Sequence, residues 1–209
     1  MAPTTAKDGT RYLFGGEALW QASSWTASDD RVRGGNSTSS LAIGQMGTFN
    51  TPCASFEGLL DITALGGAGF ASYRTVDNFP ELDLSGYDAL VLDIAKSDLK
   101  KFTLVLKDTV LPKRPDGREQ STVSWEHDFD CPGDGGGGRV VMNLNNFKAT
   151  YRGRAKPDAE PLNTGDIKRI AIMIRSFFGE QQGQFSITIL SIAAMKHDRG
   201  PSPYLPKTQ

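Results

Sequence analysis

The chain has 209 residues, with 23 Lys and Arg against 24 Asp and Glu, so its formal net charge is −1 and its sequence pI is about 6.1. A charge this close to zero excludes a global field that would attract nucleic acid or an anionic membrane. The longest apolar runs are far shorter than the ~20 residues of a membrane-spanning helix, which leaves at most peripheral membrane association.

The first apolar cluster lies near the N-terminus, where Tyr12, Leu13, Phe14, Leu19 and Trp20 follow a polar start. The pattern is compatible with a short helix or an edge segment. The first sixteen residues lack a secretory signal and the Arg-rich pattern of a mitochondrial presequence, which by itself indicates a cytosolic or already processed protein. We expect residues 1–10 to be a loose segment, residues 11–198 a single domain and residues 199–209 a tail.

Strands dominate the rest of the chain, because short apolar or alternating runs recur between Gly, Pro and Asp residues. Nine are predicted, at residues 41–43, 54–60, 70–74, 89–94, 102–107, 121–129, 139–144, 167–174 and 185–192. Residues 121–129 alternate most clearly, as expected of a strand with one face in water: Val123, Trp125, His127 and Phe129 against Thr122, Ser124, Glu126 and Asp128. No segment is helical in pattern over three turns. The sequence therefore predicts an all-β fold, a two-sheet antiparallel β-sandwich of the jelly-roll type.

A dense cluster of loop-forming and charged residues occupies residues 25–40 and contains the pattern D-x-x-x-G-G-x-S. The aspartates can accept hydrogen bonds from backbone N–H groups, the arginines offer forked donors, and the glycines permit positive φ. Two interpretations remain open, a rigid structural loop and a recognition loop for a partner. The residues concerned are Asp29, Asp30, Arg31, Arg33, Gly34, Gly35, Asn36 and Ser37.

A second charged region, residues 145–164, is predicted to be irregular and carries Lys148, Arg152, Arg154 and Lys156. Irregular connections of this length are uncommon unless they have a function. The region is either a solvated basic loop or a contact for an acidic partner.

Several kinds of chemistry find no support in the sequence. The glycine runs at residues 66–69 and 133–138 match neither phosphate-binding pattern, and His127 and His197 are the only histidines on which a nucleophile–base pair could be built. Cys53 and Cys131 are too few for a disulfide framework, and we expect free thiols. We therefore expect no catalytic residues, no metal site and no cofactor.

Aromatic residues suggest a different kind of site. Trp25, Trp125 and Tyr73 are either core residues or, together, a platform that stacks on sugars. A carbohydrate- or small-ligand-binding module would place polar groups on a concave sheet face, for which the candidates are Asp93, Lys107 and Arg175. Arg74 and Arg175 end apolar strand segments, where each is either paired with a carboxylate or exposed for contact.

Six motifs, spread in order from Trp25 to about Ile192, resemble those of the complex I intermediate-associated protein family, whose domain is similar to galactose-binding-like and carbohydrate-binding-module jelly rolls. The motifs lie at residues 30–37, 56–58, 66–74, 83–88, 147–154 and 183–187.

The resemblance implies a non-catalytic assembly factor for mitochondrial NADH:ubiquinone oxidoreductase on the matrix side, with a membrane-arm assembly intermediate and other assembly factors as partners. With the charged loops, it makes these residues candidate partner contacts: Asp29, Asp30, Arg31, Arg33, Asn36, Arg74, Lys148, Arg152 and Arg154. Gly34, Gly35, Ser37, Gly67 and Gly69 are expected to shape the loops. The alternative is a carbohydrate- or small-ligand-binding module on the same fold.

Overall fold

The computed structural model describes residues 9–48 and 50–196, which form two antiparallel sheets. Its strands are β1 Arg11–Gly15, β2 Trp25–Ala27, β3 Thr38–Met46, β4 Thr51–Leu60, β5 Phe70–Thr75, β6 Ala89–Ser97, β7 Lys101–Lys107, β8 Ser124–Asp130, β9 Gly138–Asn143, β10 Lys148–Tyr151, β11 Arg154–Ala155, β12 Arg169–Arg175 and β13 Gly183–Met195. Short 3-10 turns occupy Ala22–Ser24, Asp30–Arg33 and Leu144–Asn146.

One sheet has six strands in the order β3-β4-β13-β6-β9, with β1 also paired to β13. The other has seven strands in the order β11-β10-β8-β7-β12-β5-β2. The chain crosses between the sheets repeatedly, for example from β4 to β5, from β5 to β6 and from β6 to β7, while β3–β4, β7–β8 and β10–β11 pair within one sheet. Such repeated crossing is expected of a jelly roll. The predicted all-β, two-sheet antiparallel sandwich is confirmed.

The core lies between the sheets and is built from every second residue of each strand. The six-stranded sheet contributes Leu90, Leu92, Phe185, Ile187 and Ile189, and the seven-stranded sheet contributes Phe102, Leu104, Leu106, Ile170 and Ile172, all at most 2% exposed. Burying each such side chain stabilises the fold by about 1.5–3 kcal/mol. The intervening residues of the seven-stranded sheet point away from the core, and they form the surface on which the candidate site is found.

The structure differs from the prediction in residues 145–164, which are not irregular throughout. β10 and β11 form a hairpin there, and β10 pairs with β8 so that Lys148 is opposite Glu126. Arg152 and Gly153 form its two-residue turn with φ of 52° and 75°, the positive values that such turns require. The strands are short and polar because they lie at the sheet edge, so their pattern resembles that of a loop.

Of the two alternatives for the first apolar cluster, a short helix and an edge segment, the edge segment is observed in β1, whereas β2 is not predicted. The apolar cluster at residues 12–20 begins with β1, an edge strand on β13, and continues into a turn that carries the buried Trp20. Cys53 and Cys131 are both buried and free. Residues 1–8, the predicted tail at 199–209, and His197 lie outside the described residues. Within the described ranges, no helix is long and apolar enough to cross a membrane.

Candidate functional site

The loop before β3 is held by the carboxylate of Asp30, which is fully buried. One oxygen of this carboxylate accepts a hydrogen bond from the backbone N–H of Ser37 at 3.0 Å. The other accepts from the Ser37 hydroxyl at 2.8 Å and from the backbone N–H of Phe70 at 3.0 Å. Asp30 therefore fixes the loop to the start of β5.

Asp29 also fixes the loop, and it does so by binding to both sheets of the sandwich. Its carboxylate accepts from the hydroxyl of Ser39 at 2.6 Å and from the backbone N–H of Ser72 at 3.0 Å, while Arg31 donates to it at 3.0 Å. Ser39 belongs to the six-stranded sheet and Ser72 to the seven-stranded sheet, so Asp29 joins the two sheets. Both carboxylates are buried, so Asp29 and Asp30 hold the loop from inside the fold and do not present a contact surface to a partner.

The glycines of these loops occupy tight positions. A Cβ on Gly35 would lie 2.3 Å from the carboxylate of Asp30, so no larger residue fits without displacing that group. A Cβ on Gly69 would lie 2.3 Å from the carbonyl oxygen of Asp61, and Gly34 and Gly67 have positive φ of 83° and 92°. The loop thus has the geometry of a rigid structural element whose outer residues, Arg31, Arg33 and Asn36, reach solvent.

The outer face of the seven-stranded sheet carries an open cleft of about 670 Å³. Its floor is formed by β5, β7, β8 and β12, and its rim by four loops. These contribute Val32 and Arg33, residues 119–122, the β10–β11 turn at Arg152 and Gly153, and residues 176–180. This cleft is a wide concave surface on which charged and aromatic side chains converge, and it is the candidate functional site.

Strand register explains which side chains reach the cleft. In β12 the odd-numbered residues Arg169, Ala171, Met173 and Arg175 line the cleft, while Ile170, Ile172 and Ile174 enter the core. Lys107 lies opposite Arg169 on β7, and Arg74 lies opposite Ala171 on β5. Because successive side chains of a strand point to opposite faces, the charged residues Arg169, Arg175, Lys107 and Arg74 all reach the floor of the cleft.

One cluster of charges joins Arg74 and Arg169 to Glu119 and Asp77. Glu119, from the β7–β8 loop, accepts from Arg74 and, at 2.8 Å, from Arg169. Asp77 accepts from Arg169 at 2.8 Å and lies 3.0 Å from Arg74. Partial burial alone would raise the pKa of Asp77, but the hydrogen bond from Lys113 and the charges of both arginines outweigh it and lower that pKa.

A second cluster is centred on Arg175. Its guanidinium donates to Glu126 and to Asp128, each at 2.6 Å, and stacks over the ring of Phe177 at 4.7 Å. Glu126 also accepts from Thr150 at 2.7 Å. Of the two alternatives for Arg74 and Arg175, pairing with carboxylates is thus the one observed.

Lys107 lies between the two clusters and differs from the arginines. Its ammonium donates to the hydroxyl of Thr122 at 2.9 Å and lies 3.4 Å from the Thr122 carbonyl oxygen. Among the described residues, no carboxylate oxygen lies within 4.0 Å of it. Burial and the nearby charge of Arg169 lower the pKa of Lys107 to about 8, although Glu119 and Glu126 act in the opposite direction.

The rim combines basic and apolar side chains. Arg33 is exposed and lies over the ring of Phe70 at 5.5 Å, and Arg152 is exposed with its Nε–H donating to the hydroxyl of Ser121 at 3.3 Å. Phe178 is 91% exposed and Val32 is 74% exposed. Such a mixture of exposed aromatic and arginine side chains is typical of contact surfaces.

The structure brings only some of the predicted residues together. Arg33, Arg74 and Arg152 line the cleft, whereas Arg31, Asn36, Lys148 and Arg154 are exposed outside its lining. Of the polar groups expected on a concave face, Lys107 and Arg175 are in the cleft. Asp93 is wrongly placed by the prediction, because it lies on the six-stranded sheet and accepts from Arg139 at 2.8 Å.

The predicted aromatic platform does not form. Trp25 is 5% exposed in the core, and Tyr73 and Trp125 pack against the core side of the seven-stranded sheet. The aromatic residues at the cleft are Phe70, Phe177 and Phe178. Sequence reasoning missed Arg169 and Glu119 as site residues; the alternation of β12 could have indicated the first, but a loop residue such as Glu119 leaves no periodic signal.

Comparison with known proteins gives the following similarities. Residues 12–189 match the model of the family described as complex I intermediate-associated protein 30, as the sequence motifs had indicated. An uncharacterized protein of Schizosaccharomyces pombe is 38% identical over 183 residues, which cover 88% of this chain and 83% of that protein.

Two solved structures of a family 11 carbohydrate-binding module of Clostridium thermocellum share the fold. The module from a cellulosomal cellulase has a TM-score of 0.60 at 15% identity, covering 92% of this chain and 97% of the module. The module in complex with a β-1,3-1,4-mixed-linked tetrasaccharide has a TM-score of 0.61 at 14% identity, covering 91% and 98%. At these identities the likeness establishes the jelly-roll fold.

Proposed function

Because the chain belongs to the complex I intermediate-associated protein 30 family, we propose that it is a non-catalytic assembly factor that binds an intermediate of mitochondrial respiratory complex I. The observation that carries this proposal is the family match, which extends over residues 12–189 and so includes both sheets. The partners are a membrane-arm assembly intermediate and other assembly factors, met on the matrix side without nucleic acid and with at most peripheral membrane association.

The cleft and its rim are the contact surface in this proposal. The floor carries a fixed pattern of ion pairs, which provides electrostatic complementarity rather than a reacting group. The rim presents Phe178 almost fully to solvent, and Arg33 and Arg152 line the same cleft. Aromatic and arginine side chains contribute most to binding energy in protein interfaces.

The backbone of the β12–β13 loop supports this role for Phe178. Phe177 and Phe178 have φ of 46° and 60°, a left-handed conformation that costs non-glycine residues on the order of 1 kcal/mol each. Packing within the domain does not explain Phe178, since its side chain is 91% exposed. Contact with a partner would explain why a large apolar side chain is held there.

The test is affinity purification of the tagged chain at native expression from a digitonin extract, followed by mass spectrometry. We expect wild-type protein to recover membrane-arm subunits of complex I and other assembly factors. Phe178→Ala should reduce this recovery at least ~10-fold, the effect of losing one interface anchor. Leu19→Ala is the matched control, because Leu19 is 74% exposed and lies outside the cleft lining.

Normal recovery with Phe178→Ala would mean that the partner binds elsewhere on the protein. Absence of complex I subunits from the wild-type purification, together with unchanged complex I levels after deletion of the gene, would contradict the assembly role itself.

A second candidate function is carbohydrate binding in the same cleft. It is favoured by the open concave face, where Glu126, Asp128 and Arg175 offer hydrogen-bonding groups next to the ring of Phe177. Isothermal titration calorimetry with a β-1,3-1,4-mixed-linked tetrasaccharide tests it. Saturable heat that Arg175→Ala abolishes would support this candidate, and no heat at millimolar sugar would exclude that ligand.

A further inference from the structure

Lys107 takes no part in the ion pairs that neutralise the arginines on the floor of the cleft. The nearby carboxylates are already bound by other donors, Glu119 by Arg74 and Arg169 and Glu126 by Arg175. Within the described ranges, the groups that Lys107 contacts through hydrogen bonds are the hydroxyl and carbonyl of Thr122. An ammonium ion on a half-buried sheet surface that bonds to neutral acceptors lacks a direct counter-ion.

The lining of the cleft as a whole also carries more positive than negative side chains. Six cationic side chains line it against four carboxylates, so the lining alone carries a charge of +2 on a chain whose net charge is −1, with Asp77 outside the lining beside Arg74 and Arg169. The cations are Arg33, Arg74, Lys107, Arg152, Arg169 and Arg175, and the carboxylates are Glu119, Glu126, Asp128 and Glu180. Among the described residues, Arg33 and Arg152 also lack a carboxylate within 4.0 Å, so the uncompensated charge extends from the floor to two parts of the rim.

We propose that the cleft binds an acidic segment of a partner polypeptide, and that the ammonium of Lys107 pairs with a carboxylate of that segment. This inference rests on the proposed function, because it names the chemistry of the partner that the cleft receives. Arg33 and Arg152 interact with further acidic side chains at the rim, and Phe178 supplies an apolar contact beside them.

A peptide fits this surface better than a small multiply charged anion. The arginines that would surround a phosphate are engaged by Glu119, Glu126 and Asp128, so the floor offers one ammonium rather than a converging set of donors. The remaining unpaired charges are dispersed over the rim. Dispersed single charges match carboxylates that are spaced along a chain.

Because Lys107 changes its charge near pH 8, its pairing with a carboxylate of the partner depends on pH. With a pKa of about 8, Lys107 is mostly charged at pH 7 and mostly neutral at pH 9. A carboxylate beside it favours the charged form, so binding takes up a proton and the affinity falls as the pH rises through about 8. Arginine at this position remains charged throughout the range and would remove the dependence.

The test measures fluorescence polarisation of three fluorescein-labelled decapeptides with a Gly/Ser background and four Glu, four Gln or four Lys residues. We expect the Glu peptide to bind the full chain at pH 7 and at least about 5-fold more weakly at pH 9. Lys107→Met should weaken binding at pH 7 about 10-fold, the effect of one lost charge-assisted contact. Lys107→Arg should restore affinity and abolish the difference between pH 7 and pH 9.

Lys96→Met is the matched control, because Lys96 is exposed on the six-stranded sheet and should leave binding unchanged. Thermal melting of every variant verifies that it is folded. Equal binding of the Glu peptide to wild type and Lys107→Met, or no binding to wild type, would overturn the inference. The proposed function would still stand if complex I subunits were recovered in the purification, and would fail separately if they were not.

Discussion

At the scale of single residues, the buried carboxylate of Asp30 has the clearest energetic role. It accepts three hydrogen bonds in a site that is closed to solvent. Asp30→Asn replaces one acceptor oxygen with an NH₂ donor, which faces either the N–H of Ser37 or the N–H of Phe70, because these groups donate to different oxygens. We expect the free energy of unfolding to fall by about 2–3 kcal/mol, because hydrogen bonds to a charged group are lost and buried donors are left unpaired.

Urea denaturation followed by circular dichroism measures this change. Asp158→Asn is the control: Asp158 is exposed on the surface, where its carboxylate pairs with Lys156, so its loss should hardly shift the midpoint. A wild-type midpoint for Asp30→Asn would mean that the loop does not depend on this carboxylate.

Residue types at Asp29 and Asp30 could be recognised from the sequence, but their burial could not. Aspartate beside glycine and serine is usual in exposed turns and in buried loop clamps alike, since both arrangements require acceptors for backbone N–H groups. Whether such an aspartate is buried or exposed depends on the sheets that surround its loop. Here the two sheets place Ser39 and Ser72 within hydrogen-bonding distance of Asp29.

At the scale of elements, Glu119 is one of the residues that hold the β7–β8 loop at residues 108–123 over the cleft, together with Lys113 and Thr122. Glu119 is the loop residue that bonds to Arg74 and Arg169 on the sheet. Glu119→Gln removes the charge from these contacts. Because Glu119 is 39% exposed and Asp77 still pairs with both arginines, we expect global stability to fall by only about 1 kcal/mol.

Hydrogen–deuterium exchange should localise the effect. Amides of residues 108–123 should exchange at least several-fold faster in Glu119→Gln, while those of the central strand β13 remain as protected as in wild type. Glu180→Gln, a change in another rim loop, should leave the 108–123 amides unaffected. Unchanged exchange in the β7–β8 loop would show that the glutamate does not fix it.

Central strands could be predicted from the sequence more readily than edge strands. Central strands such as β12 carry an apolar face at every second residue, and this pattern identified them. The edge hairpin β10–β11 has no such face: Lys148 and Arg154 are exposed, and only its Arg152-Gly153 turn distinguishes it from a basic loop. The site shows the same limit, since Lys107 and Arg175 lie on central strands and were anticipated, whereas Glu119 lies on a loop and was not.

At the scale of the whole molecule, both sheets contribute to one core, and Asp29 adds a direct link between them. We therefore expect the described sandwich to unfold in a single cooperative step. Tryptophan fluorescence reports on Trp20 and Trp25 in the core and on Trp125 packed against it, and far-ultraviolet circular dichroism reports on the strands of both sheets. The two urea transitions should coincide; a separation between their midpoints would mean that one sheet persists without the other.

The register of β12 also bears on how such a protein diversifies. Core contacts fall on Ile170, Ile172 and Ile174, and cleft contacts fall on the residues between them. Substitutions that alter what the cleft recognises therefore need not disturb the residues that keep the protein folded. Selection can act on the two sets of positions independently, so descendants of one ancestral sandwich can acquire unrelated ligands while their architecture stays the same.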